Sequence, residues 1–143
     1  MRVAFVGASS TGKTTVAETV FRDARYLGVF ERLIQVDSSQ IFRRLGILTF
    51  DRASYQLRRE FRLEYLSAKK ALERTPSRFL TDRSFIDVFA YWYLSDAVDL
   101  PDARNLIKEE CRVASKGYDF HVLFPLGVIT FVLNEKRVST YDF

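Results

Sequence analysis

The sequence predicts an α/β domain of three layers, a mostly parallel sheet flanked by helices, and three observations carry that expectation. Strand and helix signals alternate along the chain, which is the pattern of parallel βαβ units. Residues Gly7 to Thr14, G-A-S-S-T-G-K-T, complete a G-x-x-x-x-G-K-[ST] phosphate-binding loop placed between the apolar run Val3–Val6 and a helical pattern. Asp82-Arg83-Ser84 follows a third strand, at the carboxyl edge where open α/β sheets bind ligands. Together these describe a P-loop NTPase fold.

The elements follow in order. Arg2 to Val6 reads as the first strand. Gly12 to Leu27 reads as a helix, with Val16, Val20, Ala24 and Leu27 at helical spacing and Gly28 as its stop. Arg32 to Val36 is a second strand, ending at Asp37-Ser38-Ser39, where a helix cap or a ligand-facing turn is expected. A short helix runs to about Leu45. Asp51 to Arg74 reads as a long amphipathic helix carrying Tyr55, Leu57, Phe61, Leu63, Tyr65, Leu66, Ala68 and Leu72, stopped by Thr75-Pro76. Arg78 to Thr81 is the third strand, Phe85 to Ser95 an aromatic helix, Pro101 to Lys116 another helix and Tyr118 to Phe124 a further strand. No repeat, low-complexity tract or linker divides the chain, so residues 1–143 are expected to form a single nucleotide-binding domain.

Composition narrows the class. A chain of 143 residues with 48% hydrophobic and 15% aromatic residues can bury a full core. No apolar run approaches the roughly 20 residues that span a bilayer, and the first residues form a strand and not a signal, so a cytoplasmic protein is expected. The single cysteine, Cys111, has no disulfide or metal partner and reads as a small buried residue. The excess of 22 Lys and Arg over 18 Asp and Glu suits anionic ligands. The basic residues are dispersed, without a dense run or a reading motif, so nucleic acid is not expected as the primary partner.

The loop dictates its own chemistry. Glycines at both ends let the backbone wrap a phosphate chain, with successive N–H groups and a helix N-terminus aimed at negative charge. Gly7, Ser9, Ser10, Thr11, Gly12, Lys13, Thr14 and Thr15 are the candidate nucleotide contacts. Lys13 reaches the β and γ phosphates of ATP, and Thr14 offers its hydroxyl to Mg²⁺.

The loop, the acid at Asp37, D-R-S at 82–84 and the tail N-E-K-R-V-S-T-Y-D-F at 134–143 resemble the P-loop small-molecule kinases, in the branch of thymidylate-kinase-like and nicotinamide-riboside-kinase-like proteins. The resemblance implies that Asp82 joins Thr14 in the Mg²⁺ shell or accepts the acceptor's proton, with capping of the next helix as its other reading. It implies that Arg83 clamps phosphate, where a solvated surface arginine is the alternative. Asp37 would address the acceptor hydroxyl, or simply cap a turn. The resemblance makes the 1–143 domain kinase-like and 125–143 its lid region, where Arg137, with Lys136, would supply the lid cation, although the adjoining G-V-I-T-F-V-L-N also reads as an ordinary strand. Where similar kinases often carry Arg three positions after the acid, this chain has Gln40, so the substrate-side charge is either missing or supplied by Arg43 or Arg44. Such kinases usually continue through a further helix and strand, so the resemblance implies a shortened form, a fragment, or a protein that retains nucleotide binding and has lost efficient catalysis.

Phe85, Phe89, Tyr91, Trp92 and Tyr93 crowd one helix after the clamp. Phe85, Val88, Phe89 and Trp92 fall on one stripe expected to pack on the sheet, leaving one or two rings to line a nucleoside pocket. His121 reads as structural. The expected function is ATP- and Mg²⁺-dependent phosphoryl transfer to a small acceptor, a nucleoside, nucleotide or nicotinamide riboside, in a protein for which a homodimer is open. An NTP-binding switch or regulatory ATPase without a small acceptor is the alternative, and a nucleic-acid-acting ATPase a third.

Overall fold

A computed structural model describes residues 1–50, 52–95 and 101–125. Four strands, β1 (Arg2–Gly7), β2 (Arg32–Ile34), β3 (Phe79–Thr81) and β4 (Phe120–Phe124), form one sheet in the order β2-β3-β1-β4. Every pairing is parallel, with Val3 opposite both Leu80 and Phe120. Five α-helices, α1 (Lys13–Arg22), α2 (Ser38–Arg44), α3 (Tyr55–Glu73), α4 (Phe85–Ser95) and α5 (Pro101–Ser115), complete the described residues. No helix among them is long and apolar enough to cross a membrane.

The strand alternation of side chains assigns each face of the sheet its own core. Val3, Phe5, Leu33 and Leu80 turn to one face, where they meet Ala17, Val16 and Val20 of α1. Ala4, Ile34 and Phe79 turn to the other, where Leu66 of α3, Phe85, Val88 and Trp92 of α4, and Ile107 and Cys111 of α5 close over them. Helices on both faces of a parallel sheet make the three layers. Central β3 is wholly buried, and Phe79 alone, 1% exposed, contributes roughly 1.5–3 kcal/mol of transfer free energy.

Several boundaries differ from the periodicity reading, each for a local reason. Helix α1 stops at Arg22 because Asp23 is extended and its carboxylate accepts from Arg25 N, opening a 3-10 turn over Ala24–Tyr26. Strand β2 ends at Ile34, whose partner Thr81 is the last residue of β3. Ser54 caps α3 by accepting from Leu57 N, so that helix begins at Tyr55, while Asp51, where the periodicity reading began it, lies outside the described residues. Strand β4 begins at Phe120, while Tyr118 turns into the core against Phe79 and Phe85.

Helix α3 also departs from a simple amphipathic pattern. Its buried stripe is Arg62, Leu66, Lys69 and Glu73, whereas Leu63 is exposed. Three of these four inward positions, at i, i+7 and i+11, are thus charged, and Lys69 and Glu73 stand four apart on that face.

Candidate functional site

The loop after β1 has a conformation that its residue types permit and few others would. Gly7 has φ +145°, and a Cβ there would lie 2.3 Å from the Phe124 carbonyl oxygen of the neighbouring strand. Gly12 has φ 81° and Ser10 φ 63°. Ser10 is the one non-glycine residue among those described with positive φ, a strain that clusters at ligand-binding loops. Gly12 precedes α1 and adds no side-chain cap. The first amides of α1 therefore face the loop's concavity, where the helix dipole favours negative charge.

Lys13 is 5% exposed, and its ammonium is gathered by the loop itself. It donates to Gly7 O at 2.7 Å, to Ala8 O and to Thr11 Oγ1 at 3.2 Å. Burial, and then the charge of Arg83, hold its pKa below the ordinary lysine value. A phosphate chain would relieve both penalties by supplying negative charge.

Beyond β3, Asp82 accepts from the Thr14 hydroxyl at 2.9 Å through Oδ2. The capping role weighed for Asp82 belongs to Ser84, whose Oγ accepts from Ile86 N at 3.0 Å and Asp87 N at 3.2 Å. Asp87 returns the bond, accepting from Ser84 N at 2.8 Å, which makes S-F-I-D a capping box. The other Asp87 oxygen accepts from Gly7 N at 2.9 Å. Helix α4 is thereby fastened to the first glycine of the loop.

Arg83 is half-buried and not freely solvated. Its Nη2 donates to Ser9 Oγ at 3.3 Å, and its guanidinium lies 5.1 Å from the Tyr91 ring centre. Tyr91 donates its hydroxyl to the same Ser9 oxygen at 2.8 Å. Burial opposes ionisation of Tyr91, but the Arg83 charge, the hydrogen bonds to Ser9 and Arg83 and the Lys13 charge together outweigh it and leave the phenol below its ordinary pKa. Of the five aromatic residues of α4, Tyr91 is the one bonded to the loop; Phe85 and Trp92 are core, and Tyr93 is exposed.

The residues expected to address an acceptor are only partly brought together. Asp37, exposed at the end of β2, accepts from Ser39 N at 3.0 Å and Gln40 N at 3.4 Å, the capping alternative noted for it. Arg44 is paired with Glu64 of α3, and Arg43 donates to Ser39 O at 3.4 Å. Phe42, Phe50, Phe61 and Tyr65 form a chain of rings with centres 4.7 to 6.2 Å apart. Tyr65 carries it toward the site, where Asp82 and Arg83 act on its phenol; burial is the main cause of its raised pKa. Thr15 opens α1, and its carbonyl accepts from Thr19 Oγ1 at 2.8 Å. Arg137 and the lid region after Pro125 lie outside the described residues. A cavity of about 450 Å³ lined by Arg2, Arg74, Phe79 and Tyr118 lies at the opposite edge of the sheet and shares no residue with the loop.

Mg²⁺ is commonly bound by one or two oxygen ligands from the protein together with substrate phosphates, and Thr14 and Asp82 form such a donor pair. Asp87 and Tyr65 were given no site role from the sequence, whereas Tyr91 was among the aromatic residues of which one or two were expected to line a pocket. Of the first two, only Asp87 had a readable signal, the S-x-x-D spacing that opens α4.

No curated protein matched the chain. A family model described as an AAA domain matches residues 2–141, nearly the full length, and agrees with the parallel sheet and the loop geometry. The chain belongs to the AAA domain family, a P-loop family of nucleotide-binding, ATPase- or kinase-like proteins.

Proposed function

We propose that the protein transfers the γ-phosphoryl group of ATP, with Mg²⁺, to a hydroxyl or phosphate of a small acceptor: a nucleoside, a nucleotide or nicotinamide riboside. The observation that carries this reading is the Thr14–Asp82 pair at 2.9 Å, a hydroxyl and a carboxylate brought to the mouth of the phosphate loop. Thr14 and Asp82 would hold Mg²⁺, which would supply positive charge against that of the triphosphate during transfer. The loop amides and Lys13 hold the triphosphate. Arg83, braced by Tyr91 and Ser9, stabilises charge on the transferring group.

In the transfer, the acceptor oxygen forms a bond to the γ phosphorus as the bond to the β-bridging oxygen breaks. The acceptor proton passes to a carboxylate, for which Asp82 and Asp37 are the candidates. The ring series Phe42, Phe50, Phe61 and Tyr65 offers apolar faces on which an acceptor base can stack. Positioning and electrostatics supply the rate, since phosphoryl transfer asks little covalent chemistry of the protein.

The test is incubation with ATP and Mg²⁺ against nucleosides, nucleoside monophosphates and nicotinamide riboside, with products read by mass and Lys13→Ala as control. A gain of one phosphoryl group on one acceptor, lost in the folded variant, is expected. The AAA family match also suits an ATPase that drives a conformational switch. ADP release independent of every acceptor would favour that reading and overturn the transferase.

A further inference from the structure

We infer that Lys69 is a positioning residue that sets the Asp82–Arg83 turn, and this rests on the role proposed above for Asp82. Lys69 is 1% exposed and belongs to α3, yet its ammonium reaches the end of β3. It donates to Thr81 Oγ1 at 3.0 Å and to Arg83 O at 2.5 Å. These are the residues on either side of Asp82. Its third partner is Glu73 Oε1 at 2.5 Å, so all three ammonium protons have acceptors.

The turn needs such a grip because the sheet no longer holds it. The β2–β3 and β1–β3 ladders both end at Thr81, and the last backbone bond nearby is a long one, from Asp82 N to Ile34 O at 3.4 Å. Thr81 Oγ1 also donates to Arg83 O at 3.1 Å, which closes a small ring of bonds beneath Asp82. With the Arg83 carbonyl drawn inward to Lys69, the Asp82 and Arg83 side chains reach Thr14 and Ser9. Glu73 is fixed in turn by the Tyr118 hydroxyl, which donates to its Oε2 at 2.8 Å.

A buried ion pair is a poor source of net stability, since desolvation consumes most of the attraction. Lys69 and Glu73 are better explained by what they aim. Outer residues that orient metal ligands typically change metal affinity by 10–100-fold when removed.

The experiment compares wild type with Lys69→Met/Glu73→Gln, which removes both charges together and keeps an acceptor for Tyr118, and with Glu73→Gln alone. The readouts are amide hydrogen exchange at Asp82–Ser84 without nucleotide, and ATP affinity with and without Mg²⁺. The double variant is expected to fold and to bind metal-free ATP as wild type does. Its Asp82–Ser84 amides should exchange faster, and its Mg²⁺-dependent gain in affinity should fall roughly tenfold or more. Glu73→Gln should retain most of that gain. A folded double variant with wild-type exchange and wild-type Mg²⁺ dependence would show that Lys69 only fills the core, and would overturn the inference. Should the double variant not fold, Thr81→Val removes one of the same bonds, and unchanged exchange at 82–84 there overturns it equally. Wild type without any Mg²⁺-dependent ATP binding would instead overturn the reading of Asp82, leaving the exchange result to decide the role of Lys69.

Discussion

The Thr14 hydroxyl and the Asp82 carboxylate meet at 2.9 Å across 68 positions of sequence. They meet because β1 and β3 are adjacent parallel strands with Ala4 opposite Thr81, so the loop after one strand and the turn after the other leave from the same edge. Asp82→Asn keeps the size and one oxygen but removes the charge. We expect a fall in Mg²⁺-dependent turnover of roughly 10²-fold or more, with metal-free ATP binding maintained. Isothermal titration and a phosphoryl-transfer assay separate the two effects; unchanged turnover would remove Asp82 from the metal shell.

The strand–loop–helix segment was legible because it is local: the G-x-x-x-x-G-K-T spacing and its flanking patterns lie within adjacent residues. The length of β2 was not, because it is set by where its neighbour β3 stops. Tyr65 escaped notice as a site residue, and Tyr91 was not told apart from the other rings of its helix, for a related reason, since strand order decides which helix faces the loop. Lys69 and Glu73 carry no sequence signal beyond their i, i+4 spacing on an amphipathic helix, and only the fold turns them inward. Ser84 and Asp87 were readable as a capping box but were overshadowed by the neighbouring Asp82-Arg83.

Asp87 ties the loop to α4 through one oxygen to Gly7 N and the other to Ser84 N. In Asp87→Asn one of these N–H donors faces an amide NH₂. Leaving a buried donor unmatched costs about 1–3 kcal/mol. Urea unfolding should report a loss in that range, and ATP affinity should weaken along with it because the loop's first amide is released. A stability equal to wild type would mean that the Asp87 bonds carry no net weight.

Two glycines distinguish close approach from simple backbone freedom. At Gly7 an added Cβ meets the Phe124 carbonyl oxygen at 2.3 Å in a left-handed conformation, so Gly7→Ala faces both overpacking and strain. Together these cost about 3 kcal/mol or more. At Gly28, φ +79°, nothing lies within 4 Å, and Gly28→Ala should lose only about 1–2 kcal/mol from the left-handed backbone. Parallel denaturation curves test the order; a Gly7 variant as stable as the Gly28 variant would contradict the packing of β1 on β4.

Cys111 gives the pH dependence its clearest sign. Burial, and then the Glu110 charge, push its thiol from 9.0 up to about 11. The folded state therefore keeps the proton where the unfolded chain loses it. Stability from this group is fully present below pH 9 and declines as pH rises toward about 11. The loss is on the order of 2 kcal/mol. Comparing unfolding of wild type and Cys111→Ala between pH 8 and 11 isolates it, because tyrosines and lysines titrate in both. The wild type should lose more stability than the variant across that window, whatever cavity the alanine leaves. At pH 8 the native thiol should alkylate at least about 100-fold more slowly than the denatured chain, from its smaller thiolate fraction alone. Equal alkylation rates in the native and denatured protein would place Cys111 at the surface and contradict its packing between α5 and the sheet.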